Sequence, residues 1–328
     1  MRAIICTQLG EPEDLVLGEA ASEALEPGQV RLRVAAAGVN FPDTLIIRGR
    51  YQLRPPLPFI PGFEVAGRVI EIGPDVRGHR VGDRLMGLTS HGYGGFADEA
   101  ILDADRAIPV PSSIDDVTAA SMVAAYGTAY HALVQRGAGR EGQTLFVSGA
   151  AGGVGLAAIQ IGKALGMRVI AAAGSQDKLA VAAAHGAAHL IDYTQEDLKT
   201  RLRGFAGDSG VDVALDTVGG DVFDTLARCM AWDGRLLVVG FTSGRIPLFP
   251  VNLALLKGYQ LVGVYWGVFA ERDPLCNRDN FERLFELVAA GRIRPAASAT
   301  YPLEQTPRAL MDLMSRKCTG KLVVTMAG

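Results

Sequence analysis

At 328 residues the chain is long enough for about two domains of ordinary size. Hydrophobic residues make up 49% and charged residues 20%, a balance that fills globular cores and argues against disorder. The formal net charge of −3 gives no electrostatic case for nucleic acid or an anionic membrane as the main partner, so any anion site must be a local cluster.

The opening Met1-Arg2-Ala3-Ile4-Ile5-Cys6 has one basic residue and no long apolar run before Glu11 and Glu13, so no signal peptide is expected. Val30, Leu32 and Val34 alternate with polar neighbours as a half-buried strand does, and 64–72 reads as another. Pro55, Pro56, Pro58, Pro61, Gly62, Gly73 and Pro74 punctuate this region densely. Short strands with many turns predict a small β-rich, barrel-like domain. The uncharged stretch 117–134 approaches membrane-span length, but Thr118, Ser121, Tyr126, Gly127, Thr128, Tyr130 and His131 interrupt it. A buried helix of a soluble protein is the expectation there.

From residue 123 the pattern changes. Thr144-Leu145-Phe146-Val147-Ser148 is a short apolar strand, followed by a glycine-rich turn and a helix to about Leu165. Strands at 168–172, 189–191, 212–215 and 235–239 alternate with helix-length segments, including a helix at 176–184, and 261–265 adds an edge strand. That alternation predicts βαβ units and a doubly wound parallel sheet, making the chain α/β. After Asn280 come an amphipathic helix carrying Phe281, Leu284, Phe285 and Val288, a second at 304–314, and a terminal strand at 321–325. This tail is expected to return to the first domain. Cys6, Cys229, Cys276 and Cys318 are far apart and form no CxxC, which suits reduced thiols in a cytoplasmic protein and gives no structural zinc cluster.

Gly149-Ala150-Ala151-Gly152-Gly153-Val154-Gly155 sits between a strand and a helix, the context that a dinucleotide fingerprint requires. Glycines let backbone approach a pyrophosphate, and the helix N-terminus offers it free N–H groups. The first glycine of G-x-G-x-x-G is Ala150 here, so the turn has to tolerate a Cβ. An NAD enzyme carries an acid at the end of the next strand for the ribose hydroxyls. This chain has Ala171-Ala172-Ala173-Gly174-Ser175-Gln176-Asp177-Lys178 instead. Ser175 and Lys178 stand where a 2′-phosphate lies and Gly174 leaves room for it. Lys178 equally reads as a solvated lysine in the first helical turn, but with the acid missing as well NADPH is the expected cofactor.

Three segments then resemble one family: Gly38-Val39-Asn40-Phe41-Pro42-Asp43 with Arg48-Gly49-Arg50-Tyr51, Pro61-Gly62-Phe63-Glu64-Val65-Ala66-Gly67, and the 150–155 loop with Gln160 and Lys163. Smaller matches are Ile191-Asp192-Tyr193, Asp216-Thr217-Val218-Gly219 and Thr319-Gly320-Lys321-Leu322. In this order the chain resembles the quinone oxidoreductase (zeta-crystallin-like) family of the zinc-free medium-chain dehydrogenases/reductases. The resemblance implies a GroES-like catalytic domain at 1–122 completed by 266–328, a Rossmann domain at 123–265, a site in the cleft between them, and a homodimer. It also implies that Tyr193 and Arg316 contact the adenosine phosphate end, that Thr128 and Thr217 lie near the dinucleotide, and that Phe241, Ser243, Val264, Tyr265 and Trp266 flank the nicotinamide. As bare residues, each of these also has a structural reading, such as a strand cap or a helix-end cation.

Zinc alcohol dehydrogenases of the same superfamily carry Cys where this chain has Asn40, and Gly-His-Glu where it has Gly62-Phe63-Glu64. Phe supplies no donor and Asn is a poor ligand, so no metal is expected. Without a Lewis acid to stabilise an alkoxide, the chemistry left is hydride donation to an electrophilic acceptor, a quinone or an α,β-unsaturated carbonyl. Asn40 offers an amide N–H to the developing oxyanion and Tyr51 a hydroxyl. Equally, Asn40 fixes a turn, Tyr51 walls the pocket, and Asp43 with Arg48 forms a structural ion pair. Two other readings stay open: a trans-2-enoyl thioester reductase, and a dinucleotide-binding structural or RNA-binding crystallin-like protein. The acidic balance counts against the last.

Overall fold

Alternating and continuous apolar runs divide the chain into two kinds of sheet. Described for residues 1–326 in a computed structural model, the elements run β1 (Arg2–Ile5), β2 (Val16–Glu19), β3 (Gln29–Val39), α1 (Phe41–Ile46), β4 (Glu64–Ile72), β5 (Arg84–Leu88), β6 (Glu99–Asp103) and β7 (Ile108–Pro109). Then come α2 (Asp116–Tyr130), β8 (Thr144–Val147), α3 (Gly153–Ala164), β9 (Arg168–Ala173), α4 (Gln176–Ala184), β10 (His189–Asp192), α5 (Leu198–Ala206), β11 (Val211–Asp216), α6 (Gly220–Leu226) and β12 (Met230–Val238). The last are α7 (Asn252–Lys257), β13 (Gln260–Gly263), α8 (Trp266–Arg272), α9 (Pro274–Ala289), β14 (Ala297–Pro302), α10 (Thr306–Met314) and β15 (Lys321–Thr325).

One unit comprises Met1–Ala124, Ala270–Glu282 and the chain from Pro295 on. Its main sheet has the order β14-β15-β3-β4-β5-β7, with β6 also on β3. The C-terminal strand β15 pairs antiparallel with β3, which is how the tail joins this unit. Val30, Leu32, Val34, Val65, Leu85, Phe96 and Leu102 fill its core, sealed by Leu310 and Val324 from the tail. The structure departs from the sequence expectation at Arg48, which pairs with Glu11 rather than Asp43. Asp43 is fully buried, whereas Glu11 is exposed and within reach of a long guanidinium.

The other unit comprises Ala125–Phe269 and Arg283–Arg294. Its six strands are all parallel, in the order β10-β9-β8-β11-β12-β13. After their first residues, Thr144 and Arg168, β8 and β9 read as unbroken apolar runs because parallel strands are covered on both faces. The stretch expected as a buried helix is α2, which continues as a π-helical segment over His131–Arg136. Among the described residues no helix is long and apolar enough to cross a membrane. The amphipathic helix expected after Asn280 begins earlier, at Pro274; its first turns bury Asn277 and Asn280, polar residues that leave no apolar pattern to read.

Candidate active site

In the parallel sheet the strand order reverses between β8 and β11, and ligands of such sheets bind outside the carboxyl ends at that point. The loop after β8 carries the glycine-rich turn, and the loop after β11 carries Thr217. Gly149 adopts φ +58°, where a Cβ would collide with Thr217 Oγ1. The left-handed residue of the turn is therefore Gly149, one place earlier than the fingerprint's first glycine. This is why Ala150 is tolerated: it sits buried, with its N–H donating to Ala172 O at 3.2 Å. Gly152 caps α3 in an extended conformation with no side chain on the helix end. The first-turn N–H groups around Ala151, Gly152, Gly153, Val154 and Gly155 thus suit an anionic pyrophosphate.

A buried carboxylate organises the neighbouring loop. Asp216 Oδ1 accepts from Ser148 Oγ (2.6 Å) and from the N–H of Val218 (3.0 Å), and Oδ2 accepts from Gly219 N–H (3.1 Å). Burial pushes this carboxyl above its ordinary range, against the pull of those donors. Thr217 is pinned in turn, its N–H donating to Ser148 Oγ at 3.0 Å and its hydroxyl to Ser148 O at 3.2 Å. The segment holding Phe241 and Ser243 is stitched to it, since Thr242 N–H donates to Thr217 O (3.1 Å) and Ser243 N–H to Val218 O (2.9 Å). Val264 and Trp266 are buried, Tyr265 is exposed, and the Trp266 indole lies against α2 at Gly127, next to Thr128.

At the end of β9, Gly174 faces Tyr193: a Cβ there would stand 3.4 Å from the Tyr193 hydroxyl. Ser175 is the N-cap of α4 and accepts from Lys178 N–H at 3.4 Å. Gly174, Ser175 and Lys178 are half-buried, and Tyr193 follows β10, the strand paired with β9, so the four share one carboxyl edge. Arg316 belongs to the other unit, in the turn after α10, at φ +57°.

The other unit holds a cluster that the sequence reading did not assemble. Register brings three neighbouring strand ends together: Leu322 of β15 is opposite Val39 of β3, and Gly38 of β3 is opposite Glu64 of β4. Lys321 Nζ consequently donates to Asn40 Oδ1 (2.5 Å) and to Glu64 Oε2 (2.6 Å). Asn40 Nδ2 donates to Glu64 Oε2 (2.7 Å) and to Gly38 O (3.2 Å), and Ala124 N–H donates to Glu64 Oε1 (2.8 Å). The Glu64 side chain is fully buried and that of Lys321 only 7% exposed. Beside them Asp43 accepts from Asn40 N–H at 2.8 Å; burial pushes its carboxyl up to about 7, against the pull of that N–H and of the Lys321 ammonium. Both N–H groups of the Asn40 amide are thus already engaged, the one on Gly38 by the longer bond. Tyr51 packs on the edge of this unit's core. The one sequence-level sign of Lys321 was its place in Thr319-Gly320-Lys321-Leu322.

No group of three or more His, Cys, Asp or Glu residues converges as a metal site among the described residues. Residues 153–290 match the zinc-binding dehydrogenase family, and residues 26–112 match the alcohol dehydrogenase GroES-like domain. The chain is 38% identical over 326 residues to quinone oxidoreductase-like protein 2 of Rattus norvegicus, covering 99% of this chain and 92% of that one. Its structure is similar to that of Escherichia coli quinone oxidoreductase complexed with NADPH, with 28% identity, a TM-score of 0.90, and coverage of 99% of this chain and 100% of that one. It is also similar to a mycobacterial protein complexed with NADPH, with 30% identity, a TM-score of 0.93 and the same coverage.

Proposed function

The chain belongs to the quinone oxidoreductase family of the zinc-free medium-chain dehydrogenases/reductases, and from that membership we propose that it reduces quinones or α,β-unsaturated carbonyls with hydride from NADPH. One observation carries the reading most strongly: the carboxyl edge of β9 and β10 gathers Gly174, Ser175, Lys178 and Tyr193. β9 itself ends on alanine, followed by glycine, and the one acid ending β10, Asp192, is buried and accepts from Thr194. NADPH, when bound, supplies the hydride. The 151–155 loop and the α3 N-terminus hold the pyrophosphate, and Ser175, Lys178, Tyr193 and Arg316 take the adenosine phosphate end. Thr128 and Thr217, with Phe241, Ser243, Val264, Tyr265 and Trp266, order the rest of the dinucleotide.

The chain's own chemistry is to stabilise negative charge on the acceptor oxygen. Tyr51 offers a hydroxyl. Of the Asn40 N–H groups, the one on Gly38 O at 3.2 Å is the weaker bond and the one an acceptor oxygen shares; the other, charge-assisted at 2.7 Å, stays on Glu64. The free cysteines agree with a reducing, cytoplasmic setting. A second copy of the chain completes the assembly. α7 buries none of its residues, Leu248, Leu255 and Leu256 are 90%, 80% and 70% exposed, and β13 beside them is an edge strand. An edge strand paired with its two-fold mate closes both features at once.

Steady-state turnover of NADPH with a naphthoquinone, an alkenal and a crotonyl thioester tests the substrate class. The quinone and alkenal are expected to lead. A thioester outrunning both moves the assignment to enoyl thioester reduction.

A further inference from the structure

The Lys321–Glu64 pair is unlike the other ion pairs of the described residues. In each of those at least one side chain is a quarter or more exposed, whereas here the two are 7% and 0% exposed. Burying a pair of charges is at best weakly stabilising compared with apolar residues of the same volume, so stability alone does not account for it. What the pair touches is the Asn40 amide, at both ends. The ammonium meets Oδ1 at 2.5 Å and the carboxylate meets Nδ2 at 2.7 Å. Turning the amide over would set N–H against ammonium and C=O against carboxylate, like against like beside two buried charges.

We propose that Lys321 and Glu64 are positioning residues: their opposite charges lock the Asn40 amide with its nitrogen outward from Lys321, so that an N–H, and not an oxygen, is available to the acceptor. The proposal rests on the reductase reading for its catalytic consequence, and on geometry alone for the lock. Asn40 is the residue before the short helix α1, whose first turn ties back to it through Asp43, so its backbone is fixed independently of the two charges. The remaining freedom is the rotation of the amide itself, and its two orientations are told apart by the charges of Lys321 and Glu64, with Gly38 O adding a weaker acceptor for Nδ2 at 3.2 Å. The other titratable group facing it is Asp43, through the Asn40 backbone rather than the amide.

The lock is read without turnover by side-chain amide NMR and hydrogen exchange on the wild-type protein, with Asn40→Ala assigning the signal. The Asn40 NH₂ pair is expected to be shifted from the bulk of Asn and Gln signals and slow to exchange; exchange like an exposed amide overturns the proposal without any variant. Lys321→Met with Glu64→Gln removes both charges of the pair together, so neither is left buried without the other. With folding confirmed by thermal melting, this double variant is expected to lose on the order of tenfold or more in kcat for a conjugated acceptor, with the Kd for NADPH within about twofold of wild type. Lys321→Arg, which keeps the charge, is expected to retain most of the turnover. A folded double variant with wild-type kcat, or one with an unchanged Asn40 signal, overturns it. A wild type that turns over no conjugated acceptor removes the reductase reading and leaves the amide measurement to decide the lock.

Discussion

Gly38 and Glu64 face each other across β3 and β4, and the missing Cβ of Gly38 is the space that the Glu64 carboxylate occupies. An added Cβ would clash with that carboxylate and would also stand 2.7 Å from Ala120 O, a backbone atom with little room to retreat. Gly38→Ala is therefore expected to destabilise the protein by about 1–3 kcal/mol through overpacking and a displaced buried charge. Chemical denaturation checks this, and a change of a few tenths would show that the carboxylate relocates freely.

Asp43 makes stability depend on pH in a direction opposite to that of an ordinary salt-bridged carboxylate. Its folded value of about 7 lies above the 3.8 of an ordinary aspartate, so between them the folded state keeps a proton that the unfolded state has released. This contribution is fully present at low pH and is lost as pH rises through about 7. Asp43→Asn keeps an acceptor for Asn40 N–H and removes the titration. Its stability relative to wild type should therefore improve by about 2–3 kcal/mol between pH 5 and pH 8. Urea unfolding of both proteins at the two pH values measures the difference, and a constant offset contradicts the assignment.

Those two groups show where sequence reading stops. The parallel strands were legible because burial on both faces forces continuous apolar runs such as Leu145-Phe146-Val147, and the phosphate loop because glycine-rich turns have few other uses between strand and helix. The Asn40 cluster was not legible, since Lys321 lies 281 residues from Asn40 and meets it only through the register of three strands. No periodicity reports register between distant strands. Arg48 misled for a related reason. Asp43 is its nearest acid in sequence, yet Asp43 is buried inside α1 and Glu11 comes from another segment. β14 went unseen because its residues alternate only weakly between half-buried and exposed, which leaves little apolar pattern to read.

Lys178→Ala should weaken NADPH binding about ten- to a hundredfold, the worth of one charge-assisted hydrogen bond to phosphate, and leave NADH nearly unchanged. Ser175→Ala should weaken both the site and the helix, because Ser175 also caps α4. Fluorescence titration with the two dinucleotides separates these outcomes. An equal loss for NADPH and NADH in Lys178→Ala would place the lysine outside the 2′-phosphate site.

The exposed apolar strip on α7 predicts a concentration-dependent assembly. Leu255→Glu with Leu256→Glu should convert a dimer to a monomer without lowering NADPH affinity, because neither residue lies on the β8–β11 edge that carries the phosphate loop. Light scattering coupled to size exclusion reads the mass directly. A wild-type monomer at high micromolar concentration would contradict the proposed second copy.

The reaction class is tested most directly by running one preparation in both directions: NADPH oxidation with a naphthoquinone or an alkenal, and NADP⁺ reduction with a primary alcohol. With Asn40 and Tyr51 as the proposed neutral donors to the acceptor oxygen, and with Phe63 and Asn40 where a zinc enzyme carries ligands, the account predicts rapid consumption of NADPH by the conjugated acceptors and negligible oxidation of the alcohol. Alcohol oxidation outpacing every conjugated acceptor would contradict it.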